Sequence, residues 1–193
     1  MSVDRNIDCA SGDSILSIGY GNRSFESFLN LLKENSIKFL VDLRSKPYSK
    51  YNPSFSKDRL RMLLRSNDIS YVFMGDSLGG LPQDSTCYVD GRVSYKKVEE
   101  RDFYESGIKR LLVAHEKKIN LIIMCSEMKP WECHRSKLIG ETLAKYYIDL
   151  KHIDENGNLL SQKDVMSKLK NTQPSLFKFE SEGLTSRKKY ISP

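Results

Sequence analysis

Between Leu121 and Gly140 the chain sets two thiols (Cys125, Cys133), two carboxylates (Glu127, Glu132), an imidazole (His134) and a guanidinium (Arg135). These types at this spacing support several chemistries. A thiol at a helix start beside an arginine is a candidate nucleophile, which selects Cys133, with His134 supplying a further reactive or ligand atom. A carboxylate in a loop serves as general base or as a hydroxyl ligand, which selects Glu127; the apolar ring of Trp131 is expected to raise its pKa. Arg135 offers a planar fork of donors suited to phosphate or carboxylate. Each residue also has a structural use: either thiol can pack as a small apolar group, and Glu127 can hold Arg44 or Arg135 as an ion pair. Cys125, closing an apolar run, suits packing or a polar ligand contact. Zinc is the one cofactor the set raises, on Cys125, Cys133 and His134. Adjacent residues at a helix start diverge, however, and no second histidine lies near, so no metal ligand is assigned. A reversible Cys125–Cys133 couple is a further alternative, at a spacing uncommon among redox motifs.

The elements that hold these groups follow from hydrophobic patterning. Leu121 to Met124 is an apolar run of strand length. Pro130 keeps Lys129 out of helical geometry, so an irregular turn follows. Leu138, Ile139, Leu143 and Tyr146 or Tyr147 then recur at helical spacing and predict a helix whose first turn carries Cys133, His134 and Arg135. Earlier, strands are predicted over Ser14 to Gly19, Ile37 to Val41 and Ile69 to Met74. Helices capped by Ser24 and Ser56 separate them, the second well buried through Leu60, Met62, Leu63 and Leu64. Residues 81–101 show no sustained period, although Tyr88, Val89, Val93 and Tyr95 suit a short hairpin. A helix through Phe103, Ile108, Leu111, Leu112 and His115 leads to the Leu121 strand, and Tyr147 to Ile153 is a fifth strand. Strand and helix alternate throughout. That pattern predicts a single α/β domain with a mostly parallel sheet of about five strands flanked by helices.

In a parallel sheet the strand ends share one edge, so Tyr20 and Asn22, Asp42 and Arg44, the Gly75–Gly80 loop, and Cys125 with Glu127 are predicted to converge there. Asp42 then joins Cys133, Glu127 and His134 as a catalytic candidate, supplying acid/base or hydroxyl contacts. Tyr20, Asn22, Arg44, Cys125, Trp131 and Arg135 are the ligand-binding candidates. Tyr20, Tyr48, Tyr51, Phe55 and Trp131 could wall a site for a planar group such as a base.

Composition narrows the classes. The chain has 193 residues, 39% of them hydrophobic and 29% charged, with a net charge of +6. No run approaches the roughly 20 apolar residues of a membrane span, so no membrane partner is expected. The polar stretch Met1 to Asp13 lacks a signal-peptide core, and four cysteines without a secretion signal suit reduced thiols. A cytoplasmic location is therefore predicted. Residues 1–13 read as an extension, 14–153 as the α/β core, and 154–193 as a terminal helix and basic tail. From Lys163 onward seven basic residues stand against three acids, a surface able to meet phosphates. The sequence has no G-x-x-x-x-G-K-[ST] loop, no G-x-G-x-x-G fingerprint and no G-x-S-x-G elbow, which disfavours an ATPase, a dinucleotide dehydrogenase and a serine hydrolase.

The motifs Ser17-Ile-Gly-Tyr-Gly-Asn-Arg-Ser24, Val41-Asp-Leu-Arg44, Ser70-Tyr-Val-Phe with Leu78-Gly-Gly80, and Met124-Cys-Ser-Glu with Pro130-Trp-Glu-Cys-His-Arg135 resemble the domain-of-unknown-function 488 family over roughly residues 14 to 153. The Cys-x-Glu followed by Cys-His-Arg is the most specific part, and Tyr20 stands where many members carry histidine. The resemblance implies the fold and the site without naming a substrate. Together these readings predict an enzyme of hydrolysis or group transfer acting on an anionic, nucleotide-like or nucleic-acid-linked ligand. The rivals are a noncatalytic nucleic-acid-binding module and a metal or thiol redox protein.

Overall fold

Side chains alternate across a strand, so a strand that is apolar at every position requires cover on both faces. In the computed structural model, which describes residues 14–172 and 184–190, that cover comes from helices on each side. The chain runs β1 (Ser14–Gly19), α1 (Phe25–Glu34), β2 (Phe39–Asp42), α2 (Lys57–Arg65), β3 (Ser70–Phe73), β4 (Tyr88–Val89), β5 (Arg92–Val93), α3 (Tyr95–Glu99), α4 (Asp102–Glu116), β6 (Leu121–Cys125), α5 (Glu141–Lys145), β7 (Asp149–Ile153), β8 (Leu159–Leu160) and α6 (Gln162–Thr172). The main sheet has the order β3-β2-β6-β1-β7-β8, and every pairing in it is parallel except β7 with β8. The predicted mostly parallel α/β sheet is therefore present, with a two-residue antiparallel edge strand added after the turn at Glu155 to Asn158.

Two cores lie on opposite faces of this sheet. Ile15, Val41, Leu121 and Ile123 pack with Ile108 and Leu111 of α4 and with Leu138, Ile139 and Leu143. Leu16, Ile18, Leu40, Ile122 and Met124 pack with Phe28 and Leu32 of α1 and Leu60 and Leu64 of α2. Consecutive residues of β6 thus serve alternate cores, and its position between β2 and β1 places its carboxyl end at the centre of the sheet.

Several local expectations change. Ser24 accepts a hydrogen bond from the Ser27 N–H and caps α1. Ser56 makes no such cap; its hydroxyl bonds the backbone of Ser49, tying down the loop that follows β2. Only Leu60 and Leu64 of α2 are buried, and Met62 is 56% exposed, because a helix against one sheet face presents only residues about four apart. Tyr88–Val89 and Arg92–Val93 form the predicted hairpin, while Tyr95 begins α3. Tyr146 and Tyr147 do not extend an apolar helix face. Tyr147 takes a positive φ of 60° just after α5, which turns the chain towards β7 and leaves its ring in solvent. The predicted extension at 1–13, with Cys9, lies outside the described residues, as do 173–183 and 191–193 of the predicted tail.

Residues 184–190 lie along the hairpin. Thr185 bridges Ser94, the Ser186 N–H donates to the Val93 carbonyl at 2.9 Å, and the Tyr190 N–H donates to the Gly91 carbonyl at 2.6 Å. Residues 184–190 therefore return to the edge where the central strands finish.

Candidate functional site

A cavity of about 270 Å³ opens at the carboxyl ends of the parallel strands. Tyr20 enters it from the end of β1, Arg44, Ser45, Lys46 and Tyr48 from the loop after β2, and Cys125, Ser126 and Glu127 from the end of β6. His134 comes from the following helix, and Ser186, Arg187, Lys188 and Tyr190 from the returning segment. The strand ends are locked together by backbone bonds: the Tyr20 N–H donates to the Cys125 carbonyl at 3.2 Å and the Leu43 N–H to the Met124 carbonyl at 2.9 Å. Gly19 is required at this junction, since a Cβ there would sit 1.8 Å from the Glu127 carbonyl oxygen.

The Cys125 thiol, the Glu127 carboxylate and the His134 imidazole form the floor, with Cys133 beneath it. The Cys125 thiol donates to Glu127 Oε2 at 3.0 Å, and His134 Nδ1 lies 3.8 Å from Cys125 Sγ and 3.7 Å from Cys133 Sγ. The imidazole is oriented by the Leu78 carbonyl, which accepts from Nε2 at 3.1 Å. A carbonyl only accepts, so the Nε2–H is fixed and Nδ1 is left facing the sulfurs. Gly80 permits this approach, because a Cβ there would lie 2.7 Å from His134 Nδ1.

The electrostatics follow from these contacts. Burial alone would raise the Glu127 carboxyl, but the Cys125 hydrogen bond and the nearby imidazole outweigh it and hold the carboxyl down at about 2. The expected upward shift from Trp131 is absent for a geometric reason: Trp131 is not among the residues lining the cavity. The Cys125 thiol is pushed well above its ordinary value by its contact with Cys133, by burial and by the charge of Glu127. It stands as a neutral donor. Burial would lower the His134 imidazole, but Cys125 and the Glu127 carboxylate together raise it.

The other predicted residues divide clearly. Asp42 is fully buried and saturated: it accepts from the Arg44 N–H at 3.0 Å, Arg44 Nε at 2.9 Å, Arg44 Nη2 at 2.6 Å and the Tyr71 hydroxyl at 2.7 Å. It holds Arg44 in place and does not reach the cavity. Arg44 does line it, with its guanidinium 5.1 Å from the Tyr20 ring centroid, and Tyr20 in turn stacks on the buried Phe55 at 4.3 Å. Arg135 is fully buried outside the lining; Nη2 donates to the Met128 carbonyl at 3.0 Å, while Nε and Nη1 have no hydrogen-bond partner. Glu127 is therefore the ion-pair partner of neither arginine. Cys133 lies beneath the floor, 1% exposed, and its sulfur accepts from the Arg135 N–H at 3.4 Å. Trp131 faces α6, with Lys168 Nζ 5.0 Å from its ring. Asn22 and Tyr51 are exposed and outside the cavity lining.

The helix that carries His134 opens irregularly. Residues Arg135–Gly140 form a π-helical turn before α5 continues. Side chains take up its carbonyls: Gln162 Nε2 donates to Ser136 O at 3.0 Å and the Thr142 hydroxyl to Leu138 O at 2.9 Å. Such turns recur at functional positions. Within it Lys137 is buried, its amine without a hydrogen-bond partner and 5.9 Å from the Tyr95 ring, and burial lowers its pKa.

Sequence reasoning missed Tyr95, Ser186 and Tyr190 as lining residues, and saw Arg187 and Lys188 only as part of a basic surface. The signal was nonlocal, since Thr185 pairs with Ser94 across most of the second half of the chain. Arg187 is fixed there by Glu132 at 3.0 Å.

The structure thus defines an α/β protein with a polar cavity at the carboxyl edge of a parallel sheet. The chain belongs to the family described as Domain of unknown function DUF488, whose model matches residues 24–141. That match takes in Arg44, Gly80, Cys125, Glu127, Cys133 and His134, and leaves out Tyr20 and the returning segment. No curated protein and no solved structure matches the chain. Among the described residues no helix is long and apolar enough to cross a membrane.

Proposed function

We propose that this chain is an enzyme of hydrolysis or group transfer that acts on a small anionic, nucleotide-like ligand. The observation that carries this reading is one cavity in which Arg44, Lys46, Arg187 and Lys188 surround a floor of Cys125, Glu127 and His134. Cationic side chains attract and orient an anion, and a low-dielectric floor strengthens every charge that faces it. Arg44 is suited to this because Asp42 takes Nε and Nη2 and fixes the guanidinium before any ligand arrives, leaving Nη1 as the donor without a partner, so little side-chain freedom is lost on binding. Tyr20 and Tyr48 supply aromatic walls for a planar group. Glu127, ionised at neutral pH, would accept a hydrogen bond from a ligand hydroxyl or an attacking water and orient it for reaction.

The test is a panel of nucleotides, nucleotide sugars, sugar phosphates and short oligonucleotides, followed by thermal shift and by product analysis. Turnover of one class is expected, with Lys46→Ala and Lys188→Ala weakening binding and Glu127→Gln removing turnover while binding persists. Oligonucleotide binding that falls steeply with salt and gives no product would replace this reading with a noncatalytic nucleic-acid module. A panel without either response would sink both.

A further inference from the structure

We propose that Cys125 Sγ, Cys133 Sγ and His134 Nδ1 bind a zinc ion, with the fourth tetrahedral position turned towards the cavity beside Glu127. The inference stands on the geometry beneath the floor and is independent of which ligand the cavity takes. All three atoms lie within 4.8 Å of one another, and all three residues are buried. Zinc bonds of about 2.3 Å to sulfur and about 2.0 Å to nitrogen, set at a tetrahedral angle, separate the two ligand atoms by about 3.5 Å. The S···N separations here are 3.7 and 3.8 Å. The side chains are therefore already near coordination spacing.

Cys133 and His134, as neighbours at a helix start, would be expected to diverge. They do not, because Cys133 is extended, with φ −111° and ψ 150°, and the helix begins only at His134, with φ −63° and ψ −22°. The extended residue lets its sulfur meet the imidazole of the next residue.

Three further features fit a metal better than packing. The Leu78 carbonyl fixes Nε2–H and presents the Nδ1 lone pair to the sulfurs, an arrangement typical of ligating histidines. The Arg135 N–H bonds Cys133 Sγ, as the outer contacts of metal-bound thiolates do. Cys125, Glu127 and His134 face the cavity, whereas Cys133 lies behind them, so an ion among the ligands has one open side. Burial also sets this apart from redox exchange: Cys133, 1% exposed and behind the cavity lining, is shielded from an incoming thiol or disulfide. Zinc entry displaces two thiol protons to solvent, and the two thiolates balance the ion's charge.

The experiment uses the full chain, purified in zinc-containing buffer without chelator or reductant, and reads metal by elemental analysis. About one zinc per chain is expected, with chelator releasing it and lowering the melting temperature. Cobalt(II) added to the metal-free chain should give a thiolate-to-cobalt charge-transfer band and tetrahedral ligand-field bands. Cys133→Ser should weaken zinc binding by at least about 100-fold, beyond the effect of an outer-shell change. Should that variant fail to fold, the cobalt spectrum of the unsubstituted chain still decides the matter. A folded chain with less than about 0.1 zinc and no thiolate–cobalt band would overturn the proposal. So would a Cys125–Cys133 disulfide in the freshly isolated protein.

Discussion

His152 should make this fold acid-sensitive starting from a pH well above the usual carboxylate range. It lies on β7, fully buried, with Ser17 Oγ 2.6 Å from Nδ1 and Gln162 Oε1 2.7 Å from Nε2. Burial, followed by the positive charge of Arg135, lowers its pKa from 6.5 to about 3, although the Gln162 hydrogen bond opposes the shift. Glu141 reaches it only through Gln162, whose Nε2 donates to Glu141 Oε1 at 2.7 Å. The folded state therefore keeps a neutral imidazole while the unfolded chain takes up a proton as pH falls below its ordinary pKa. Unfolding then binds more protons than folding, so stability is fully present above about pH 6.5 and is lost progressively as pH falls towards 3. At about 1.4 kcal/mol per pH unit, the loss from this group between pH 6.5 and pH 5 is about 2 kcal/mol, with a ceiling near 5 kcal/mol at full protonation. Urea unfolding of the unsubstituted chain and of His152→Gln at a series of pH values between 7 and 4.5 isolates it, since all other titrating groups are shared. The variant should start less stable yet fall less steeply. Parallel stability curves for the two proteins would refute the linkage.

Asp42→Asn should cost about 3–5 kcal/mol in urea unfolding by stranding the buried Arg44, and Asp42→Asn combined with Arg44→Met should recover part of that loss. Gly19→Ala places a Cβ 1.8 Å from the Glu127 carbonyl, so the strand-end junction must shift; a loss of about 3 kcal/mol is expected by denaturation, together with weaker ligand response. Arg187→Ala breaks a pair whose arginine is 41% exposed, so melting should change little, by less than about 1 kcal/mol, while affinity for an anionic ligand falls in a titration. Equal stability losses in the last two variants would show that the returning segment is as firmly built as the sheet.

How much of this was legible depends on the range over which each signal acts. The continuous apolar run of β6, and Ile15, Leu16 and Ile18 falling on both faces of β1, announced buried parallel strands because both faces need cover, and that requirement is written residue by residue. The convergence of Arg44 with Cys125 then followed from topology, and both line the same cavity. A two-residue strand such as β8 carries no periodicity to detect, whereas the β4–β5 hairpin was legible through Tyr88, Val89 and Val93. Side-chain direction was also hidden. Asp42 looks like a catalytic acid by position, yet Tyr71 from the neighbouring strand and Arg44 occupy its oxygens. Arg135 looks like an anion ligand within its motif, yet the helix start turns it under the sheet edge towards the Met128 carbonyl. Neither outcome can be read from spacing, because each is set by a partner distant in sequence or by a local change of backbone state.

The buried polar groups behind the cavity explain why its floor can be held in one arrangement. Ser17 on β1 bonds His152 on β7, His152 bonds Gln162 at the start of α6, and Gln162 takes the Ser136 carbonyl from the π-helical turn. That turn directly follows Cys133 and His134, while two residues beyond Ser17 the end of β1 pairs with Cys125. The two sides of the floor are thus joined through a continuous chain of hydrogen bonds that never touches the cavity. In a low-dielectric interior each member is costly to leave unpaired, so the set favours one geometry over nearby alternatives. A floor that sets a carboxylate, the Cys125 thiol and an imidazole at fixed spacing above Cys133 needs such support, because displacements of about 1 Å are enough to remove catalytic or ligating alignment. The start of this turn is where the two demands meet: the Ser136 carbonyl accepts from Gln162 as well as from the Glu141 N–H, and the extended Cys133 just before the turn sets His134 against the sulfurs.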